Sequence, residues 1–277
     1  MITSKTKLAG LIGKPVGHSL SPAMHNAAFK ELGMDCRYLA FPVDKERLGD
    51  AIRSIRALNF LGANITIPYK EMAIEFLDDC HEEAKFIGAV NTIVNDGSRL
   101  IGHNTDGRGF MKSMEEAAVS LKDKRVFMSG AGGAARALTY YIANNAVNLK
   151  IFDTDTQKLN ALVASLKKIN PEVHAETSAD AIKNADVFIN ATPLGLHAGD
   201  PLPVDSALLH EGLVVCDVIY KDTPLIVEAK RLGCQTVNGL GMLFWQGVLA
   251  FELWTQPGAA PVDVMRAALM EGYNRLL

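Results

Sequence analysis

The run G130-A-G-G-A-A135 has the form of a loop that holds the pyrophosphate of a dinucleotide. In a G-x-G-x-x-G/A turn the first glycine permits the tight bend and the second lets the backbone approach the phosphates. A small third residue lets the helix pack on the strand. The phosphates then face N–H groups at a helix N-terminus. Gly130, Ala131, Gly132, Gly133 and Ala134 are therefore the candidate pyrophosphate residues. Glycine-rich turns are common, so the context decides. A strand-like R125-V-F-M-S129 precedes the loop, a helical stretch from Gly132 to Ala143 follows it, and a second strand-like stretch, L149-K-I-F152, ends at Asp153. That acid lies 23 residues after Gly130, near the spacing of about 20 at which a carboxylate takes the ribose hydroxyls. A carboxylate there would repel the 2′-phosphate of NADP by roughly 1–4 kcal/mol per unit charge at about 4 Å. Thr154, Asp155 and Thr156 follow, with no Arg, and the next cation is Lys158. NAD in preference to NADP is the expected cofactor. The competing reading makes Asp153 a helix cap, a role that Asp155 or Thr156 could fill instead.

A second set of polar residues sits at element ends nearer the N-terminus. G17-H-S-L-S-P22 places Ser19 and Ser21 before a helix opened by Pro22. One serine as N-cap is the simple reading of that motif; two serines directed at ligand oxygens is the alternative. N64-I-T-I-P68-Y-K70 puts Asn64 and Thr66 on one face of an apolar strand and Lys70 beyond its carboxyl end, where open α/β sheets bind ligands. G88-A-V-N-T92 and G102-H-N-T-D-G107 add Asn91, Thr92, Asn104, Thr105 and Asp106 at two turns, which turn chemistry alone would also explain.

Strand-like and helix-like segments alternate along the whole chain, which predicts an α/β fold with largely parallel sheets. Strands are expected at 8–12, 37–41, 62–67, 125–129, 149–152, 186–190 and 213–217. Helices are expected at 22–32, 48–58, 132–143, 156–166 and 223–232. The helical stretch Asp106–Leu121 joins two α/β units, and the domain boundary is placed there. The composition, 48% apolar and 21% charged with a net charge of −3, is that of a soluble globular protein. It has no basic run of the kind nucleic acid needs. No apolar run nears a membrane span, and the polar start M-I-T-S-K-T-K-L has no signal-type core. Cys36, Cys80, Cys216 and Cys234 form no C-x-x-C pair, so buried thiols, no metal and a reducing cytoplasm are expected.

Taken in order, S-L-S-P-x-M-H-N, G-A-N-I-T-I-P-Y-K, G-A-V-N-T, N-T-D-G, G-A-G-G-A, N-A-T-P-L-G195, D217-V-I-Y220 and G239-L-G-M-L243 with Gln246 resemble the shikimate dehydrogenase family across nearly the whole chain. The resemblance implies two α/β domains flanking a cleft. They would be a substrate-binding domain at 1–105, completed by C-terminal helices at 241–277, and a Rossmann-type nucleotide domain at 106–240. Asp263–Leu277, helical in period, would belong to the returning segment. The implied reaction is reversible hydride transfer between C3 of shikimate and a nicotinamide, giving 3-dehydroshikimate. Lys70 and Asp106 are implied as the catalytic pair. Ser19, Ser21, Thr66, Asn91, Tyr220 and Gln246 are implied as substrate contacts, and Thr192, Val218, Gly239 and Met242 as cofactor neighbours. A lysine accepts a proton only as the neutral amine, which burial favours and a nearby carboxylate opposes. Either Lys70 shuttles the hydroxyl proton with Asp106 coupled to it, or charged Lys70 steadies the alkoxide while Asp106 takes the proton.

Most biosynthetic members carry Asn-Arg-Thr where this chain has Asp153-Thr154-Asp155, a departure that agrees with the NAD expectation and leaves the physiological direction open. NAD-using relatives accept quinate, so quinate stands as a possible second substrate. The two serines favour shikimate, because a second hydroxyl-bearing side chain leaves less room around the carboxylate. The alternatives are a dehydrogenase of another cyclic polyol acid or an amino analogue, and a nucleotide-sensing relative without turnover. Monomer and homodimer are both compatible with the sequence.

Overall fold

A computed structural model describes residues 2–275. The chain forms two compact units, one made of Met1–Thr105 with Gln246–Leu277 and the other of Asp106–Trp245.

In the first unit β1 (Lys7–Gly13), α1 (Ser21–Glu31), β2 (Cys36–Pro42), α2 (Leu48–Ala57) and β3 (Gly62–Ile65) alternate as the periodicity predicts. They are followed by β4 (Asp79–Cys80), α3 (Glu82–Ile87), β5 (Thr92–Asn95) and β6 (Leu100–His103). The sheet order is β2-β1-β3-β5-β6-β4. β1 pairs in parallel with β2 and β3, but β5 runs antiparallel to both β3 and β6, so this sheet is mixed rather than wholly parallel. The reversal is a hairpin closed by N95-D-G-S98, where the Asp96 carboxylate accepts the amides of Ser98 and Arg99. Ile52 and Ile55 on the buried face of α2 pack with Ile12, Ala63, Ile65 and Ile93 from the strands beneath.

The second unit contains α4 (Asp106–Glu116), β7 (Arg125–Ser129), α5 (Gly133–Ala143), β8 (Asn148–Phe152), α6 (Thr156–Leu166) and β9 (Val173–Ala175). It continues through β10 (Val187–Asn190), β11 (Val214–Asp217), α7 (Pro224–Arg231) and β12 (Gln235–Val237) to the start of α8 (Leu240–Trp254). Its six strands are all parallel, in the order β12-β11-β10-β7-β8-β9. Counted from β7 this is the doubly wound 3-2-1-4-5-6 order, which reverses between β7 and β10, where such sheets take a dinucleotide. Phe127, Phe188, Val215, Leu225 and Ala229 build one of its core clusters.

The last helix, α9 (Val262–Asn274), packs against α1 within the first unit. The helical stretch read from the sequence as Asp263–Leu277 thus becomes Val262–Asn274, and residues 276–277 lie outside those described. α4 stops at Glu116, short of the expected Leu121, because the chain turns through Ala118, which adopts a positive φ of 56°. All four cysteines are buried thiols. Among the described residues no helix is long and apolar enough to cross a membrane.

Candidate functional site

Within the first unit a continuous buried polar chain joins three of the expected substrate residues. Ser21 hydrogen-bonds to the Tyr38 phenol, which donates to Asn64 Oδ1 at 2.7 Å. Asn64 Nδ2 donates to the Asn91 carbonyl at 3.1 Å and to Thr92 Oγ1 at 3.0 Å. Thr92 donates to Asn91 Oδ1, and Asn91 Nδ2 reaches Thr105 Oγ1 at 2.9 Å and Gln246 Oε1 at 3.4 Å. Thr105 closes the chain by donating to the Gln246 carbonyl at 3.0 Å. Side chains 155 positions apart thus meet because β5 and the C-terminal part of α8 meet in one unit. Buried polar groups need such partners, and a fully connected network holds each in one orientation.

The two-serine motif does not cap its helix. Leu20 is the N-cap of α1 and no side chain bonds there; Ser19 Oγ instead accepts the Ser21 amide at 3.2 Å. The cap reading fails because Ser21 is already the first helical residue and Pro22 the second, which moves the cap to Leu20. Thr66 follows the end of β3, its amide bonded to the Ile12 carbonyl at 3.0 Å. Lys70 is half-buried, and its own carbonyl accepts the Val90 amide at 2.8 Å, which fixes the turn next to Asn91.

In the second unit Asp106 is the first residue of α4 and only 5% exposed, placed where the helix dipole favours an anion. Gly130 has φ +110°, and a Cβ there would stand 2.7 Å from the Ala191 carbonyl oxygen. The loop after β7 therefore lies against the loop after β10, at the switch point. Gly132 is the N-cap of α5, with no side-chain cap bond and no acid in the first turn. Among the described residues nothing lies within 4 Å of the point where its Cβ would stand. An open approach to uncapped N–H groups fits an anionic pyrophosphate. Thr192, Val218 and Gly239 follow β10, β11 and β12, with Thr192 and Val218 half-buried and Gly239 seated on the Val218 carbonyl. Tyr220 is 37% exposed and Met242 is half-buried in α8. Among the described residues no group of three or more His, Cys, Asp or Glu could hold a metal.

Asn190 and Asp217, quoted in two motifs above without a role of their own, are each the last, polar residue of an apolar strand. Asn190 Oδ1 accepts the Thr192 amide and hydroxyl, at 3.1 and 2.6 Å. Asp217 accepts from Ile219 N, Thr223 Oγ1 and Asn190 Nδ2, at 3.0, 2.7 and 3.2 Å. Burial raises the Asp217 carboxyl pKa, and these three donors oppose that rise.

The family models for the shikimate dehydrogenase substrate binding domain and the shikimate 5'-dehydrogenase C-terminal domain match residues 11–93 and 239–270. A shikimate dehydrogenase (NADP(+)) of Methanothermobacter thermautotrophicus is 43% identical over 99% of this chain and 100% of the relative. The chain belongs to the shikimate dehydrogenase family. Among solved structures, a shikimate dehydrogenase in complex with NADP+ is 39% identical, with a TM-score of 0.90 over 98% of this chain and 97% of that one. A shikimate 5-dehydrogenase of Listeria monocytogenes in complex with shikimate and NAD is 38% identical, with a TM-score of 0.89 over 97% and 98%.

The cofactor expectation is corrected by these relatives. Curated family members at 39–43% identity are named for NADP(+), which points to NADP rather than NAD. The structure supplies the physical reason why Asp153 misled. Its Oδ2 accepts the Ala131 amide at 2.6 Å and its Oδ1 the Asp155 amide at 2.8 Å. The carboxylate braces the glycine loop from within, so its presence does not report on the ribose substituent. Asp155, not Asp153, caps α6, accepting the Lys158 amide at 3.1 Å.

Proposed function

We propose that this chain catalyses the reversible, NADP-linked oxidation of shikimate to 3-dehydroshikimate. The observation that supports it most is the end-to-end likeness to shikimate dehydrogenases (NADP(+)), with 99% of this chain aligned. When bound, NADP supplies the acceptor for the hydride that leaves C3. Gly130 to Ala134 hold the pyrophosphate at the N-terminus of α5, and Thr192, Val218, Gly239 and Met242 hold the remainder of the dinucleotide. Ser19, Ser21, Thr66, Asn91, Tyr220 and Gln246 bind the carboxylate and hydroxyls, each buried ligand oxygen needing a partner. Lys70 and Asp106 are the residues that handle the C3 hydroxyl proton. Quinate, which carries an extra hydroxyl beside its carboxylate, is the poorer substrate because Ser19 and Ser21 both crowd that end.

The test is absorbance at 340 nm with purified protein, NADP and either shikimate or quinate. The expected result is reduction of NADP with shikimate and a lower kcat/KM with quinate. Lys70→Ala and Asp106→Asn should each lower kcat by about 10²–10⁴ while NADP still binds by calorimetry. No reduction of NADP by shikimate, and no oxidation of NADPH by 3-dehydroshikimate, would overturn the reading.

A further inference from the structure

The loops after β10 and β11 carry Thr192 and Val218, and neither loop is held by its own residues alone. Asn190 Oδ1 accepts the Thr192 backbone amide, which can only donate, so the orientation of the Asn190 side chain is fixed. Its Nδ2 must then point toward Asp217 and the Leu194 carbonyl, each 3.2 Å away. Thr223 Oγ1 accepts the Ile226 amide as N-cap of α7, so its single proton is directed at Asp217. Ile219 N completes the set. Every neighbour of the Asp217 carboxylate in this set is a donor, and the group is 2% exposed. The same two loops are tied again by Val218 N to the Asn190 carbonyl, at 3.1 Å, and Gly239 N, after β12, bonds to the Ile219 carbonyl at 2.9 Å.

We propose that Asp217 is a positioning residue for the cofactor, its buried carboxylate locking the Thr192 and Val218 loops in the one arrangement that binds NADP. This rests on the reading that these loops hold NADP. The polarity is what matters. An amide at 217 turns its NH₂ either toward the Thr223 hydroxyl and the Asn190 NH₂ together or toward the Ile219 amide, donor against donor in both cases. The loops lose their common acceptor while the volume stays the same.

The test uses the full chain. Calorimetry gives the Kd for NADP, steady-state kinetics give separate KM values for NADP and shikimate, and circular dichroism checks the fold. Asp217→Asn should raise the Kd and KM for NADP at least tenfold and leave the KM for shikimate within twofold. Thr223→Val, which removes one donor from Asp217, should raise the Kd about threefold and serves alone if Asp217→Asn does not fold. A folded Asp217→Asn variant that binds NADP within twofold of the parent overturns the proposal. So does an equal rise in both KM values, which marks a merely structural role, or an unchanged Kd in Thr223→Val. A parent protein that does not bind NADP refutes instead the functional reading on which the proposal stands.

Discussion

His25 lies in the motif S-L-S-P-x-M-H-N yet belongs to the core. It is fully buried, stacked on Tyr38 with ring centroids 4.4 Å apart and tilted against Trp254 at 5.2 Å. Among the described residues neither ring nitrogen has a hydrogen-bond partner. Burial lowers its pKa to about 3, against roughly 6.5 in an unfolded chain. The folded state therefore stays neutral while the unfolded state gains a proton below pH 6.5, and stability falls as pH drops from there toward 3. The slope is about 1.4 kcal/mol per pH unit, so about 2 kcal/mol is lost by pH 5. Urea unfolding at pH 7 and pH 5 reads it directly. His25→Phe keeps the stacking without the proton site, and the difference between the two pH values should shrink by that amount. Asp153 permits a second test at this scale. Asp153→Ala leaves the buried Ala131 amide without its acceptor and should lower the unfolding free energy by about 1–3 kcal/mol. A variant as stable as the parent would contradict the brace assigned to that carboxylate. Asp153 also shows a limit of reading residue types. The acid was visible, but the amides it would meet depend on how the glycine loop closes, which spacing does not encode.

The glycine loop separates two demands that one sequence pattern merges. Gly130 answers to the fold, because its φ of +110° and the nearby Ala191 carbonyl both exclude a Cβ. Gly132 answers to the ligand, because its backbone is extended and its Cβ would stand in open space. Gly130→Ala should therefore cost about 1–3 kcal/mol of stability, read as a lower thermal midpoint. Gly132→Ala should melt with the parent yet bind NADP at least tenfold more weakly by calorimetry. The elements that sequence revealed best are those long enough to show a period: α6 spans Thr156–Leu166 as expected, and β7 Arg125–Ser129. β4 has two residues, β9 and β12 three, and α3 six, too few for any period to emerge. The antiparallel hairpin of β5 and β6 has a usable signal in Asn95-Asp96-Gly97, a turn sequence that the expectation of largely parallel sheets leaves out of account. The expected substrate and cofactor residues were visible as types at strand ends. The chain from Ser21 through Tyr38 and Asn64 to Asn91 and Gln246 was not, since it depends on cross-strand neighbours.

At the scale of the whole molecule, the first unit is written in two separate stretches of chain, and the second unit is the sequence between them. The C-terminal stretch completes a core. Trp254 Nε1 donates to the Ile93 carbonyl at 3.0 Å, and Phe251 packs on Phe29 and His25. Gly247 seats α8 on Met24. Residues 106–245 expressed alone should thus unfold in a single cooperative transition. Residues 1–105 alone should show none, and fusing residues 246–277 to them through a flexible linker should restore one, as circular dichroism would record. Synthesis on the ribosome gives the same interruption a clock. The stretch that emerges first must wait for the one that emerges last. At about 5–20 residues per second, roughly 7–28 s pass while the intervening sequence is translated. Through that interval Phe29, Tyr38 and Met24 lack their closing partners, so the nascent N-terminal half is the part of this protein that a chaperone has most reason to hold.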